Sequence, residues 1–120
     1  MLRVATLNVG TLNGRAAEVG KVFEKRKVDV GCVQETRWKG GSCKWFREKE
    51  RGYTCRLFCN GCKEGRDGVG VFVAERWVES IVKIDRIDEG IIVIKMALGK
   101  RLLNIFLEYA PQAEIGRAHV

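Results

Sequence analysis

Two short apolar runs flank an amphipathic stretch at the start of the chain. Leu2–Leu7 alternates weakly between apolar and polar positions and predicts a strand. Val28–Val33 is mostly β-branched and short, which predicts a strand buried on both faces. Between them Ala16, Val19, Val22 and Phe23 recur at helical spacing, predicting a helix of about Arg15–Lys27. Asn13 suits its N-cap, and Glu24-Lys25-Arg26-Lys27 places cations in the last turn, where the helix dipole favours them. Strand, helix and strand in succession predict a βαβ unit.

Further along, Tyr53–Cys59, Val69–Val73, Val78–Ile84, Ile91–Leu98 and Arg101–Tyr109 read as strands. Gly99-Lys100 makes a tight turn between the last two, and Pro111 stops the final one. The charged stretch Lys44–Arg51 predicts a short helix, after a flexible Lys39-Gly40-Gly41-Ser42 loop. The expected class is therefore α/β: a βαβ start followed by mainly antiparallel strands. Few helices are available to cover so many strands, so the covering layer is expected to be incomplete within this chain.

Composition narrows the setting. With 120 residues there is room for one domain, and 46% apolar with 31% charged residues is a globular composition. No apolar run approaches a membrane span, and the N-terminus lacks the regions of a signal peptide, so cytoplasm or nucleus is expected, without membrane association. Twenty-two Lys and Arg against 15 Asp and Glu give a formal charge of +7, which favours a polyanionic partner.

The candidate chemistry lies at strand ends. Gln34, Glu35, Thr36 and Arg37 follow the Val28–Val33 strand, and open α/β sheets place chemistry beyond such carboxyl ends. Glu35 thus stands where a metal-ligand or acid–base carboxylate would, and Asn8 stands at the matching end of the first strand. Plainer roles also fit: Glu35 ending a strand against Arg37, and Asn8 closing an Asx-turn. Arg37, Lys39, Lys44, Arg47, Lys49 and Arg51 cluster around Trp38 and Trp45. Cations interleaved with aromatics can track a phosphate backbone and stack on bases; a solvated face with the tryptophans packed beneath it is the alternative. Cys59-Asn60-Gly61-Cys62 has the spacing of half a zinc knuckle, with Cys55 and Cys43 as further ligands. An odd count of five cysteines, no second close pair and no nearby histidine argue against zinc, and Asn60-Gly61 is equally a hairpin-turn dipeptide.

Four blocks occur in order: Ala5-Thr6-Leu7-Asn8-Val9, then Val33-Gln34-Glu35-Thr36-Arg37-Trp38, then Gly68-Val69-Gly70-Val71, then Tyr109-Ala110-Pro111. Together they resemble the endonuclease/exonuclease/phosphatase superfamily. The wording looks closest to the apurinic-like endonuclease domain of non-LTR retrotransposons and to craniofacial development protein 2-like sequences. The resemblance covers Met1 to about Gln112. It implies the N-terminal half of a two-sheet, DNase I-like α/β sandwich. It implies Glu35 as a Mg²⁺ ligand (Mn²⁺ as a substitute), Asn8 as a residue arranging that site, and Tyr109 as a contact to the scissile phosphate. The implied reaction is metal-assisted hydrolysis of a phosphodiester, with DNA as the partner.

Departures from the family pattern limit this expectation. Gly10 stands where many abasic-site nucleases carry aspartate, and the later Asp-x-Asn and Ser-Asp-His motifs have no counterpart. The single histidine, His119, is preceded by Ala118 and does not match the motif. The expectation is a partial domain over 1–112, truncated and inactive by itself, followed by a non-native tail over 113–120. Ile115-Gly116-Arg117-Ala118-His119-Val120 is what a common sequencing-library adapter reads as when translated. Two rival readings are a non-catalytic nucleic-acid-binding remnant and a zinc-stabilised interaction module.

Overall fold

The computed structural model describes residues 2–38, 41–48, 53–60, 68–87, 91–108 and 117–119. The elements run β1 (Val4–Asn8), α1 (Ala16–Lys25), β2 (Val30–Gln34), β3 (Gly41–Glu48), β4 (Tyr53–Asn60), β5 (Val69–Ala74), α2 (Glu75–Val78), β6 (Ile81–Arg86), β7 (Ile91–Leu98), β8 (Arg101–Glu108) and β9 (Arg117–His119). A first sheet has the order β1-β2-β5-β4-β3 and a second has the order β6-β7-β8-β9.

This arrangement corrects the expected class. Among the described residues the protein is mostly β: nine strands, one ten-residue helix and one four-residue helical turn. It is not an α/β DNase I-like sandwich grown from a βαβ start. Among the described residues only β1 and β2 pair in parallel; β2 meets β5 antiparallel, as do the other described neighbours. The physical reason lies in what covers β2. Helices on both faces would define an α/β layer, but here α1 covers one face and the second sheet covers the other.

Two cores follow from that layering. On the α1 side, Ala16, Val19 and Phe23 pack with Val33, Leu57 and Phe72. On the opposite side, Val30, Cys32, Phe58, Val69, Val71 and Val73 meet Ile92, Ile94, Met96, Ile105 and Leu107. Alternate residues of β2 and β5 feed opposite cores, as strand geometry requires. The covering layer expected to be incomplete is thus present for the first sheet's inner face.

Local departures have local causes. Gly41–Glu48, expected as loop and charged helix, is strand β3, because its eight residues pair in register with Tyr53–Asn60. Pairing overrides a weak helical preference. The expected Val78–Ile84 strand is divided between α2 and β6. Arg15, not Asn13, is the N-cap of α1, and no side chain caps that end. Asn13 instead accepts a hydrogen bond from the Trp38 indole at 3.0 Å. Arg117–His119, within the stretch expected to be a tail, pair with Glu108, Leu107 and Phe106 of β8.

Asp29 ties the start of the first sheet together. It is 4% exposed. Its carboxylate accepts from the Arg3 backbone N–H at 2.6 Å and from the Arg76 guanidinium. Its own backbone N–H donates to Arg3 O, and its carbonyl accepts from Ala74 N–H. Burial pushes its pKa up, but the hydrogen bond from the Arg3 amide and the Arg76 guanidinium outweigh that and hold it below the ordinary value of 3.8. The unfolded chain therefore binds this proton more readily than the folded one. The carboxylate's contribution is complete above the unfolded pKa and is lost as pH falls through the lower folded pKa.

Two predictions follow from these contacts. Asp29→Asn is expected to cost about 1.5–3 kcal/mol at neutral pH, the range for hydrogen bonds to a charged group. Urea midpoints taken downward from pH 6 should fall more steeply below pH 4 in the parent than in the variant; parallel curves would refute the pin. Gly31 is the second site. A Cβ built there lies 2.5 Å from a Phe23 ring carbon, and that ring stacks tilted against Phe72 at 5.6 Å. Gly31→Ala should therefore cost about 1–3 kcal/mol through overpacking, read as a lowered thermal midpoint.

Candidate functional site

Asn8 pairs in register with Gln34 across the parallel β1–β2 ladder. Glu35 follows directly, so Asn8 and Glu35 come to the same carboxyl end of neighbouring strands. The register continues from Gln34 to Val69 and from Val69 to Asn60. Paired residues share a face, so Asn8, Gln34, Val69 and Asn60 occupy one row of positions on the face turned to the second sheet.

The members of that row differ in environment. Asn8 is exposed and its Oδ1 accepts from Gly10 N–H at 3.1 Å, the Asx-turn geometry. Gln34 is fully buried; its Nε2 donates to Thr6 Oγ1 at 2.8 Å, while its Oε1 has no hydrogen-bond partner. Asn60 donates to the Ile91 carbonyl at 2.8 Å and so links the two sheets. Arg86 makes a second link, from Nε to Cys59 O at 2.7 Å.

The loops after β1 and β2 are laced to each other. Val9 N–H donates to Gln34 O and Leu12 N–H to Thr36 O. Arg37 Nε donates to Gly10 O at 2.7 Å, and Trp38 Nε1 to Asn13 Oδ1 at 3.0 Å. Thr36 is fully buried, and its N–H donates to Gly68 O at 3.2 Å. On either side of it, Glu35 and Arg37 take left-handed backbone angles, φ 59° and 58°. Such angles in residues with a Cβ persist where the surroundings hold them, and they recur at functional sites.

The remaining expected site residues divide as follows. Arg37 is exposed, with its Nε bound to the Gly10 carbonyl. Trp38 packs partly buried on the α1-side core, the plainer of its two expected roles. Lys44 and Arg47 lie on β3 opposite Leu57 and Thr54, with their side chains outside the described residues. Lys39 and Tyr109 lie outside the described residues altogether. Cys55 and Cys59 are buried in the α1-side core. The Cys62 residue and the Cys43 side chain, which the zinc reading also needs, are not among those described. Cys32 is buried in the other core, and desolvation raises its thiol pKa to about 12, which makes it a packing residue at neutral pH.

The oxygen types at this strand end are those a hard cation takes: one partly exposed carboxylate, Glu35, and one exposed carboxamide, Asn8, whose Oδ1 accepts from Gly10 N–H. Magnesium commonly takes one or two protein carboxylates and keeps several waters. Among the described residues no group of three His, Cys, Asp or Glu side chains converges. Asp29 and Gln34 were not anticipated. The period-2 pattern of β2 already sets Gln34 on the face of Val30 and Cys32, away from Val33, and that was the available signal. No protein-family model matches this chain, and no curated protein matches it. No helix among the described residues is long and apolar enough to cross a membrane.

The left-handed angle at Glu35 can be measured apart from its carboxylate. Glu35→Ala and Glu35→Gly both remove the carboxylate, but only glycine adopts φ 59° without steric cost. The glycine variant should be the more stable of the two by about 1 kcal/mol. Equal urea midpoints would show that the angle is not imposed by the surrounding loops.

Proposed function

We propose that this chain carries a cation- and phosphodiester-binding site derived from a Mg²⁺-dependent phosphodiesterase of the endonuclease/exonuclease/phosphatase type. The observation that supports it is the register of β1 on β2, which sets Asn8 and Glu35 at one strand end, with Glu35 in a constrained conformation. Glu35 and Asn8 would hold Mg²⁺. The ion, when bound, would polarise a phosphate oxygen and stabilise the departing one.

The chain's own residues do less than a nuclease needs. Glu35 supplies a hard oxygen, Asn8 an orienting amide, and the Arg37 side chain a cation on the same loop. Nothing in the matching sequence blocks supplies a carboxylate–histidine pair to take the proton from an attacking water. A positioned base contributes about 10²–10⁴-fold, and groups stabilising the developing charge often contribute more. Binding of the phosphate backbone without turnover is therefore the proposed activity of this chain, with DNA as the substrate class of the parent enzyme. The formal charge of +7 favours the same partner.

A plasmid-nicking assay with Mg²⁺ separates binding from hydrolysis. The expected outcome is no nicking by the parent chain or by Glu35→Ala, with DNA binding that weakens as salt rises. Nicking by the parent that disappears in Glu35→Ala would show an active phosphodiesterase instead. Salt-insensitive binding, or none, would remove the nucleic-acid reading.

A further inference from the structure

The outer edge of β1 has no strand hydrogen-bonded to it among the described residues, and β1 is the end member of its sheet; β9 of the second sheet comes near β1 without pairing with it. The hydrogen-bond pattern shows which groups face outward. Arg3 O accepts from Val30 N–H and Val9 N–H donates to Gln34 O, so odd-numbered residues of this stretch bond to β2. A parallel ladder alternates sides. The N–H and C=O groups of Val4, Thr6 and Asn8 therefore point away from the sheet, a ready edge for another strand.

Beside that edge lies a groove of about 420 Å³, lined by Arg3 to Leu7 of the first strand and by Val22, Phe23, Arg26 and Val28. Its apolar contacts are open to solvent: Leu7 is 40% exposed and Val22 is 45% exposed. Its charged members are both basic. Arg3 and Arg26 are exposed, and neither guanidinium is ion-paired among the described residues.

We propose that β1 is a docking edge for an extended peptide of a partner protein, with small apolar side chains along the strand and an acidic residue at the end beside Arg3 and Arg26. Alternating donors and acceptors at strand spacing match a polypeptide backbone. Leu7 and Val22 provide apolar contact for side chains on one face of that peptide. Arg3, whose carbonyl meets the start of β2, and Arg26, the C-cap of α1, both stand at the N-terminal end of β1, so they select an acidic residue at that end. A second copy of this chain is a poor occupant, because each copy brings the same basic rim and a charge of +7. This docking edge shares the Asn8 main chain with the Asn8–Glu35 proposal but does not depend on it, because it uses backbone groups and not the Asn8 carboxamide.

The test uses a fluorescent seven-residue peptide alternating valine and threonine, with glutamate at both ends so that either strand direction brings one beside Arg3 and Arg26. Controls are the same peptide with lysine ends and the same peptide N-methylated on alternate amides. The glutamate peptide should bind by anisotropy. The lysine peptide should bind about tenfold more weakly at low salt, as expected for two surface ion pairs, and the N-methylated peptide should not bind measurably. The double variant Arg3→Glu with Arg26→Glu, checked for folding by its urea midpoint, should invert the preference between glutamate and lysine ends. Hydrogen exchange gives a site-specific reading: the amides of Val4, Thr6 and Asn8 should slow on peptide addition. Absence of binding, binding unaffected by N-methylation, or binding that leaves those three amides unprotected would overturn the proposal.

Discussion

β2 is buried along its whole length because α1 lies on one side of its sheet and β7 and β8 lie on the other. Everything of interest in the molecule hangs from that double coverage. A strand buried on both faces tolerates no slip in register, since a shift by one residue would exchange its two side-chain sets between cores. Val30 and Cys32 would then face α1, and Gly31 would face the second sheet. The close seat of Phe23 over Gly31 and the Gln34–Thr6 hydrogen bond would be lost together. Fixed register at β2 is also what sets Asn8 beside Gln34, and so what determines which loop residues meet at the strand ends.

Much of this was legible from the sequence. The apolar runs placed β2, β4, β5, β7 and β8 to within a residue or two, and the stripe through Val19 and Phe23 marked α1. The class was not legible. Strand periodicity says that a face is covered but not by what, and β2 reads the same under a helix as under a second sheet. The charged run at 44–48 misled for a related reason: composition reports solvent preference, whereas β3 is decided by eight partners on β4 that are near in space. At the site, strand ends pointed to Asn8 and Glu35. The lacing between their loops was not readable, because Arg37 to Gly10 and Trp38 to Asn13 join positions 27 and 25 residues apart.

Asp29, just before β2, and Glu35, just after it, show how differently one fold can treat two carboxylates. Asp29 is buried, bonded to a backbone N–H and a guanidinium, and held ionised below its ordinary range. Such a group is committed to structure: a proton or a cation placed there would compete with the contacts that join β1, β2 and the β5–α2 junction. Glu35 lies partly exposed at the opposite end, in a left-handed backbone conformation that ordinary strand continuation would not produce.

That conformation has a cost, of about 1–2 kcal/mol for each residue with a Cβ, and two such residues flank Thr36. Thr36 offsets it by being fully buried and by bonding at both its N–H and its carbonyl, to Gly68 and Leu12. The loop can therefore hold Glu35 and Arg37 out of the strand path because Thr36 is fixed between them. A carboxylate-bearing and a guanidinium-bearing residue thus stand two residues apart on one loop, on either side of a buried anchor. Under the proposed function that spacing would have a physical use. A cation bound by the carboxylate and the guanidinium itself would both attract phosphate oxygens, and the guanidinium is already tied to the Gly10 carbonyl through its Nε.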